Sequence, residues 1–207
     1  MTTTNSPRPL TSAWRFWLPL CLQILLILAV PAQAVYTHVT GQTVILQTIP
    51  VDPYDFLRGY YQTLRYQVSQ PDTFKDLPGG NAIQQKNKEI EERSLFYITL
   101  QAPDNPESTS GHPAPWQPVA ISRSQPQNLP ANQVALRGVY SYSFNSLEYG
   151  LEKYYLPEDQ REEINTHINQ TLGASPEERP FVVEVKVDSR GHAVANSLWI
   201  GDRNYRF

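Results

Sequence analysis

The chain of 207 residues has room for one ordinary domain and an appendage. Its formal net charge of −3 excludes the strongly basic character of most nucleic-acid-binding proteins, so we predict no nucleic-acid partner. The single cysteine, Cys21, excludes intramolecular disulfides, and no cysteine follows it that could act as a nucleophile or a zinc ligand. The 18 prolines, 10 glycines and 12 tyrosines indicate short strands separated by stiff turns.

The N-terminal segment is predicted to enter a membrane. Residues 16–30 are almost entirely apolar, and no charged side chain occurs between Arg15 and Asp52. A membrane anchor needs about 20 apolar residues, which residues 16–36 supply. We therefore expect residues 1–34 to form a cytoplasmic tail and a membrane anchor.

The flanking residues predict the orientation of this segment and leave its processing open. Arg8 and Arg15 precede the apolar run, which favours a single pass through the plasma (inner) membrane with the N-terminus in the cytoplasm and residues 35–207 outside. A cleaved signal peptide is the alternative, because the run ends in the small-x-small sequence AQA at residues 32–34. Cleavage after Ala34 would give a secreted or periplasmic protein. We favour the anchor.

The first half of the outer segment is predicted to alternate strands with short helices. Residues 36–52 are rich in β-branched side chains and alternate in polarity, which predicts a strand interrupted near Gly41. One helical turn then ends at Gly59, and residues 60–69 are predicted to form a second strand. A charged helix over residues 81–94 leads into the strand LFYITLQ.

The second half contains the clearest patterns. A turn-rich surface loop occupies residues 102–115, and strands are predicted at WQPVAISR and NQVALRGVYSYSF. Residues 156–172 form a helix with acids in its first turns and apolar residues every four positions. PFVVEVKVD and HAVANSLWIGD form a hairpin around the turn SRG. The fold class predicted is α+β, mostly β: one N-terminal transmembrane helix, then one strand-rich domain with about two helices.

The sequence RGYYQTLRY, residues 58–66, resembles the signature of the GDYXXLXY-domain family of bacterial membrane-anchored proteins. The matching positions are Gly59, Tyr61, Leu64 and Tyr66, whereas Tyr60 takes the place of the aspartate. PVDPYDFLRG, LRGVY and YGLEKYYLPE also follow in the family's order, so the similarity covers residues 35–207. The resemblance implies a membrane-spanning helix at the start. It implies no reaction, because the family's activity is undefined. Its members are often encoded beside polytopic membrane proteins, so a polytopic integral membrane partner is expected.

The tyrosine at position 60 indicates that the motif is structural. An aspartate acting as an acid, a base or a metal ligand would lose that chemistry on replacement by tyrosine. We therefore predict a structural network without a catalytic residue. Its members are Asp52, Arg58, Gly59, Tyr61, Leu64, Tyr66, Arg137, Tyr149, Glu152 and Glu158.

The strand periodicity predicts where the motif side chains point. Leu64 and Tyr66 lie two residues apart and share one face of a strand, so both are predicted to be buried in the core. Tyr61 is predicted to lie on the opposite face. A β-bulge between Tyr61 and Leu64 would be needed to bring all three to one surface.

Other patterns do not favour a catalytic or metal site. Glycoside hydrolysis requires a pair of carboxylates. The spacing of the acids within residues 52–66 and 148–158 does not indicate that any two of them converge. Arg58 and Arg137 could clamp an anionic ligand, but pairing with nearby carboxylates is the interpretation we favour. The four histidines lack metal-binding spacing, and no nucleotide or nucleophile motif occurs. We predict no cofactor and no metal.

Two functions from different classes remain. The first is a membrane-tethered extracytoplasmic domain that serves as a non-enzymatic accessory or assembly partner of an integral membrane protein. The alternative is an envelope enzyme or binding module that acts on a polysaccharide or peptide through residues 52–66 and 148–158. An open cleft holding Asp52, Arg58, Glu152 and Glu158 would favour the alternative, and a closed hydrogen-bonded network would favour the first.

Overall fold

The computed structural model describes residues 11–49, 61–63, 65–84, 93–108, 111–141, 143–155, 161–172 and 181–206. Within them the helices are α1 (Thr11–Thr40), α2 (Asn81–Gln84) and α3 (Arg161–Leu172). The strands are β1 (Gln42–Ile49), β2 (Tyr61–Thr63), β3 (Arg65–Tyr66), β4 (Leu95–Gln101), β5 (Gln117–Ser122), β6 (Gln133–Ser141), β7 (Ser146–Glu148), β8 (Lys153–Tyr155), β9 (Phe181–Val187), β10 (Ala193–Ile200) and β11 (Arg203–Arg206).

The N-terminal helix α1 projects from the sheets. Its segment Trp14–Thr40 is long and apolar enough to cross a membrane, and none of its most apolar window is buried among the described residues. Leu25, Ile27 and Val30 are all more than half exposed, as a lipid-facing helix requires. At ~1.5 Å per residue, the 30 residues of α1 extend about 45 Å.

Helix α1 passes into strand β1 without a loop. The amide of Gly41 donates to the carbonyl of Thr37 over 2.8 Å, and β1 begins at the next residue. A Cβ at Gly41 would lie only 2.4 Å from that carbonyl oxygen, so the transition needs glycine. The strand predicted over residues 36–52 is therefore wrong before Gly41 and confirmed over Gln42–Ile49, and residues 50–52 lie outside the described part.

The larger sheet has five antiparallel strands in the order β11-β10-β9-β1-β3. Strand β1 lies between β9, where Val44 faces Val185, and β3, where Thr48 faces Tyr66. The predicted hairpin is confirmed as β9 and β10, with a turn at residues 189–191. Strand β11, which was not anticipated, completes the edge of this sheet.

The smaller sheet has four antiparallel strands in the order β5-β4-β6-β7. It contains the three strands predicted at LFYITLQ, WQPVAISR and NQVALRGVYSYSF. A two-stranded ladder, β2 with β8, lies outside both sheets. The predicted loop contains no strand within its described residues, 102–108 and 111–115, except for an isolated bridge between Glu107 and Pro113.

One hydrophobic cluster takes side chains from both sheets. Leu46, Val183 and Leu198 of the larger sheet and Ile98 and Leu136 of the smaller one are at most 2% exposed. The alternating apolar residues of these strands bury one face, as antiparallel strands over a core require. The described residues thus confirm the predicted mostly β fold with an N-terminal apolar helix.

Three predicted elements differ in extent from those observed. Of the strand expected over residues 60–69, the described residues form β2, β3 and a 3₁₀ turn at Gln67–Ser69, and Tyr60 and Leu64 lie outside the described part. The helix expected over residues 81–94 is described only as far as Gln84, and residues 85–92 lie outside the described part. Helix α3 begins at Arg161 in the described chain, and residues 156–160 are likewise outside it.

Candidate functional site

A cleft of about 520 Å³ lies where the end of α1 meets β6, β7 and the start of β10. Val30, Gln33 and Thr37 of α1 form one wall, and Arg137 and His192 of the sheets form another. Because α1 supplies a section of the wall, the cleft exists only while the helix remains attached to the domain.

The carboxylate of Asp188 holds α1 against the sheets. Its Oδ2 atom accepts hydrogen bonds from Nε2 of Gln33 and Oγ1 of Thr37, each 2.9 Å long. Its Oδ1 atom accepts from the backbone amides of Arg190 and His192 at 2.8 and 3.0 Å. The side chain is fully buried, so each donor stabilises a charge that water does not reach.

These donors determine the charge state of Asp188. Burial alone would raise the pKa of this carboxyl, because it penalises the charged form. The hydrogen bonds from Thr37, from the amides of Arg190 and His192, and from the His192 ring together outweigh burial and hold the pKa below its ordinary value. Asp188 is therefore an ionised clamp between helix and hairpin turn.

Arg137 joins the smaller sheet to the same turn. Its backbone amide donates to the carbonyl of Gly191 at 2.9 Å, and its guanidinium donates to Nε2 of His192 at 2.7 Å. A guanidinium only donates, so Nε2 accepts and the proton of the neutral ring lies on Nδ1. Nδ1 lies 3.3 Å from Oδ2 of Asp188, which completes a chain Arg137–His192–Asp188.

The expected pairing of Arg137 with a carboxylate is not found. No Asp or Glu of the described chain lies within ion-pair distance of its guanidinium, and its side-chain partner is His192. Glu148 also lines the cleft but forms no ion pair with Arg137. The cleft therefore contains an arginine whose charge no described carboxylate balances.

The described residues of the two sequence motifs, residues 52–66 and residues 148–158, lie side by side. Strand β2 of the first motif pairs with β8 of the second, with Tyr61 opposite Tyr155. Next to them, the hydroxyl of Tyr66 donates to the carbonyl of Leu151 at 2.9 Å. The first motif therefore contacts the second through both backbone and side chain.

Tyr149 forms the centre of this junction. Its hydroxyl donates to the carbonyl of Val68, and its backbone amide donates to a carboxylate oxygen of Glu152. Its ring meets that of Tyr66 edge to face, with centroids 6.4 Å apart and planes at 75°. Burial, with a smaller effect of the nearby Glu152 charge, raises the pKa of Tyr149 well above its ordinary value, so the hydroxyl remains a donor.

The structure describes some of the predicted site residues and not others. Tyr66, Arg137, Tyr149 and Glu152 lie near one another at the cleft and the junction behind it. Tyr66 is fully buried, as predicted. Tyr61 is described as part of β2, but the face on which its side chain lies remains a prediction. The residues that lie outside the described part are Asp52, Arg58, Gly59, Leu64 and Glu158.

The clamp at Asp188 was not predicted from the sequence. Asp188 opens the turn DSRG and accepts from the amide of Arg190, two residues ahead, as aspartates in turns commonly do. That pattern marks Asp188 as a turn residue, but nothing in it indicates that Gln33 and Thr37 approach from the N-terminal helix. Within the described chain, no group of three or more His, Cys, Asp or Glu side chains is placed to hold a metal ion.

Comparison with known proteins identifies the family. The family model described as GDYXXLXY protein matches residues 23–198, which begin inside α1 and end in β10. No curated protein and no solved structure matches the chain. The match covers most of the chain, and the protein belongs to the GDYXXLXY family.

Proposed function

We propose that α1 is retained as a membrane anchor and that residues 35–207 form an extracytoplasmic, non-enzymatic accessory domain of an integral membrane protein. The observation that carries the proposal is the clamp at Asp188. Gln33 and Thr37, on opposite sides of the alternative cleavage site after Ala34, both donate to this buried carboxylate. Cleavage there would cut α1 within its helix and remove Gln33, one of the two donors that α1 supplies.

The length of α1 supports the same proposal. The section from Trp14 to Ala32 is about 28 Å long at ~1.5 Å per residue, close to the ~30 Å of a bilayer's hydrocarbon core. The remaining two turns contact Asp188 and the cleft. Helix α1 therefore has one section for the membrane and a second for the domain.

The direct passage from helix to strand supports a fixed mounting. With no flexible linker between Thr40 and Gln42, the domain is held at a defined height and rotation above the membrane. A tethered enzyme that searches for substrate does not need this arrangement, whereas a subunit that docks on a membrane partner benefits from it because less freedom is lost on binding.

Analysis of the mature protein tests the anchor. Membrane-derived protein should resist alkaline extraction, and its N-terminal sequence and intact mass should include residues 1–34. A mature chain that starts at Val35 would contradict the proposal and indicate a secreted or periplasmic protein.

Site-specific crosslinking tests the accessory role. A photo-reactive residue is placed in turn at Leu25, Leu26, Ile27 and Leu28, which are all exposed and, as consecutive residues, point to different sides of α1. Docking on a membrane partner predicts one adduct of constant mass from positions on one side of the helix only. Crosslinks to lipid alone from every position would contradict it.

The enzyme or binding-module alternative remains a second candidate because the observed cleft contains Glu148 and Tyr149 of the second motif. Asp52, Arg58 and Glu158, three of the four residues on which that alternative depends, lie outside the described part. Calorimetric titration of the full chain with envelope oligosaccharides and peptides tests it. Saturable binding that Glu148→Gln abolishes would favour this candidate.

A further inference from the structure

We propose that the cleft beside α1 binds the phosphate group of an anionic phospholipid, with Arg137 as its principal ligand. This inference rests on the proposed retention of α1 in the membrane. It adds a specific ligand, which neither the fold nor the family match supplies.

The position of the cleft favours a lipid over a soluble ligand. Val30 and Ala34 of α1 line it; Val30 lies in the last turn of the helix section that matches the thickness of a bilayer, and Ala34 lies just beyond that section. With that section inserted, the cleft opens at the level of the lipid headgroups. A phospholipid can then place its phosphate in the cleft while its acyl chains stay beside α1.

The charges of the cleft favour an anion. Arg93 and Arg137 both line it, and neither forms an ion pair with a described carboxylate. Glu148 is the acid among the described lining residues. Among the described lining residues, two permanent cations thus accompany one acid; the ionised Asp188 lies behind His192, with both carboxylate oxygens occupied by donors.

The geometry of Arg137 suits a phosphate. Its guanidinium has five N–H donors. Among the described residues, the side-chain hydrogen bond observed for Arg137 is the one to His192. The bond to Gly191 fixes the backbone of Arg137, and His192 holds one guanidinium nitrogen, Nη1, so the remaining donors are presented with little loss of freedom. Parallel N–H donors bind two phosphate oxygens at once, which is the strongest form of this contact.

The apolar surface of the lining favours a phospholipid over inorganic phosphate. Val30, Ala34 and Val139 contribute hydrocarbon surface beside the arginines. Inorganic phosphate gains nothing from such a surface, whereas the glycerol and upper acyl carbons of a phospholipid bury area against it. The volume of about 520 Å³ lies within the range of small-molecule sites.

The test uses the full chain in nanodiscs of phosphatidylcholine, alone or mixed with phosphatidylglycerol. Native mass spectrometry after gentle release counts the phosphatidylglycerol molecules retained per protein. We expect Arg137→Gln to reduce retention on the order of tenfold or more, since a charged hydrogen-bonding partner is lost. Arg137→Lys keeps the charge without the paired donors and should retain an intermediate amount. Arg206→Gln is the matched control, because Arg206 is exposed and does not line the cleft.

Each remaining outcome decides for or against the lipid. Equal retention by wild type and Arg137→Gln would overturn the proposal. Displacement of the lipid by inorganic phosphate, as effective as displacement by excess phosphatidylglycerol, would also overturn the proposal. The ligand would then be the free phosphate ion. A crosslinker at position 137 that captures an acidic protein segment and no lipid would likewise overturn it. If Arg137→Gln does not fold, Arg93→Gln, at an exposed position, provides the same comparison.

Failure of this inference is distinguishable from failure of the proposed function. A protein that retains residues 1–34 and stays in the membrane, but binds phosphatidylglycerol without regard to Arg137, contradicts only the lipid site. A protein cleaved at Val35 contradicts the anchor, and with it the basis for a site at the bilayer surface.

Discussion

The hydroxyl of Thr37, near the end of the N-terminal helix, donates a 2.9 Å hydrogen bond to the carboxylate of Asp188, 151 residues further along the chain. Both side chains are buried at this contact. A helix that only anchored the protein would need no such bond. The contact joins the helix and the strand-rich domain into a single folded unit, whose stability should respond to changes in α1.

The first prediction is that Thr37→Val destabilises the outer domain by about 1–3 kcal/mol, because a buried carboxylate loses one of its donors. Valine keeps the shape of threonine, so packing changes little. Urea unfolding of the full chain in detergent micelles, followed by near-ultraviolet circular dichroism, measures the change.

Thr40→Val is the matched control for this prediction. Thr40 lies on the same helix but is exposed, and its hydroxyl donates only to the carbonyl of Tyr36. The free energy of unfolding should therefore change by less than about 0.5 kcal/mol. Equal effects of the two substitutions would show that helix propensity, and not the contact with Asp188, sets the stability.

The second prediction concerns acid. The folded-state pKa of Asp188 is lowered, so its ionised form contributes stability that is present above the unfolded-state pKa, about 3.9, and is lost as the pH falls through the folded-state value. Asp188→Asn should therefore cost about 1–3 kcal/mol near neutral pH and progressively less below about pH 4.

Unfolding curves for wild type and Asp188→Asn between neutral pH and about pH 3 test the acid dependence. Asp104→Asn is a suitable control, because Asp104 is exposed in the loop after β4. A constant difference between wild type and Asp188→Asn across this range would contradict a clamp that depends on the charge of Asp188.

The third prediction concerns the tyrosine junction. Tyr149→Phe removes the donor to the carbonyl of Val68, and we expect a loss of about 1–2 kcal/mol at neutral pH. Tyr97→Phe should cost less, because Tyr97 is only half-buried and its hydroxyl bonds to no described residue.

Alkaline pH gives an independent measurement of the same group. The folded-state pKa of Tyr149 is raised. The protonated hydroxyl therefore contributes all of its stability below the unfolded-state pKa, near 10, and this contribution is lost as the pH rises toward the folded-state value. Tyr149→Phe should therefore lose less stability than wild type above about pH 10. Parallel alkaline unfolding curves would mean that the hydroxyl is not held protonated by burial.

The sequence predicted the elements of the fold that depend on local periodicity. The β9–β10 hairpin, strands β4, β5 and β6, and the apolar N-terminal helix all follow from patterns a few residues long. It predicted a strand for residues 36–40 because Val, Tyr and Thr favour strands. Those residues are helical in the protein, where contacts of Gln33 and Thr37 with the distant Asp188 outweigh local preference.

The candidate site was only partly predictable. Tyr66, Arg137 and Tyr149 stand in recognisable motifs, and the structure places them near one another. The contact of Arg137 with His192 was not predicted, because His192 lies 55 residues away and its approach depends on how the hairpin turn meets the second sheet. Such contacts between sheets leave no spacing signal in a single sequence.

The last prediction tests the packing of the two motifs at Gly138. A Cβ at this position would lie 2.8 Å from Cε1 of Tyr149, which is closer than side chains tolerate. The ring of Tyr149 cannot move aside freely, because its hydroxyl is bonded to Val68 and its edge meets Tyr66. Alanine within a strand is otherwise more favourable than glycine by roughly 0.5–1 kcal/mol, so the sign of the effect is informative.

We expect Gly138→Ala to destabilise the domain by about 1–3 kcal/mol, as overpacking of a core does. In the Tyr149→Leu background the same substitution should cost less, because leucine lacks the ring atoms that the new methyl group would meet. The double-mutant cycle, measured by urea unfolding of the full chain, gives this coupling directly. A stabilising Gly138→Ala, or additive effects of the two changes, would show that the Tyr149 ring is not fixed against β6.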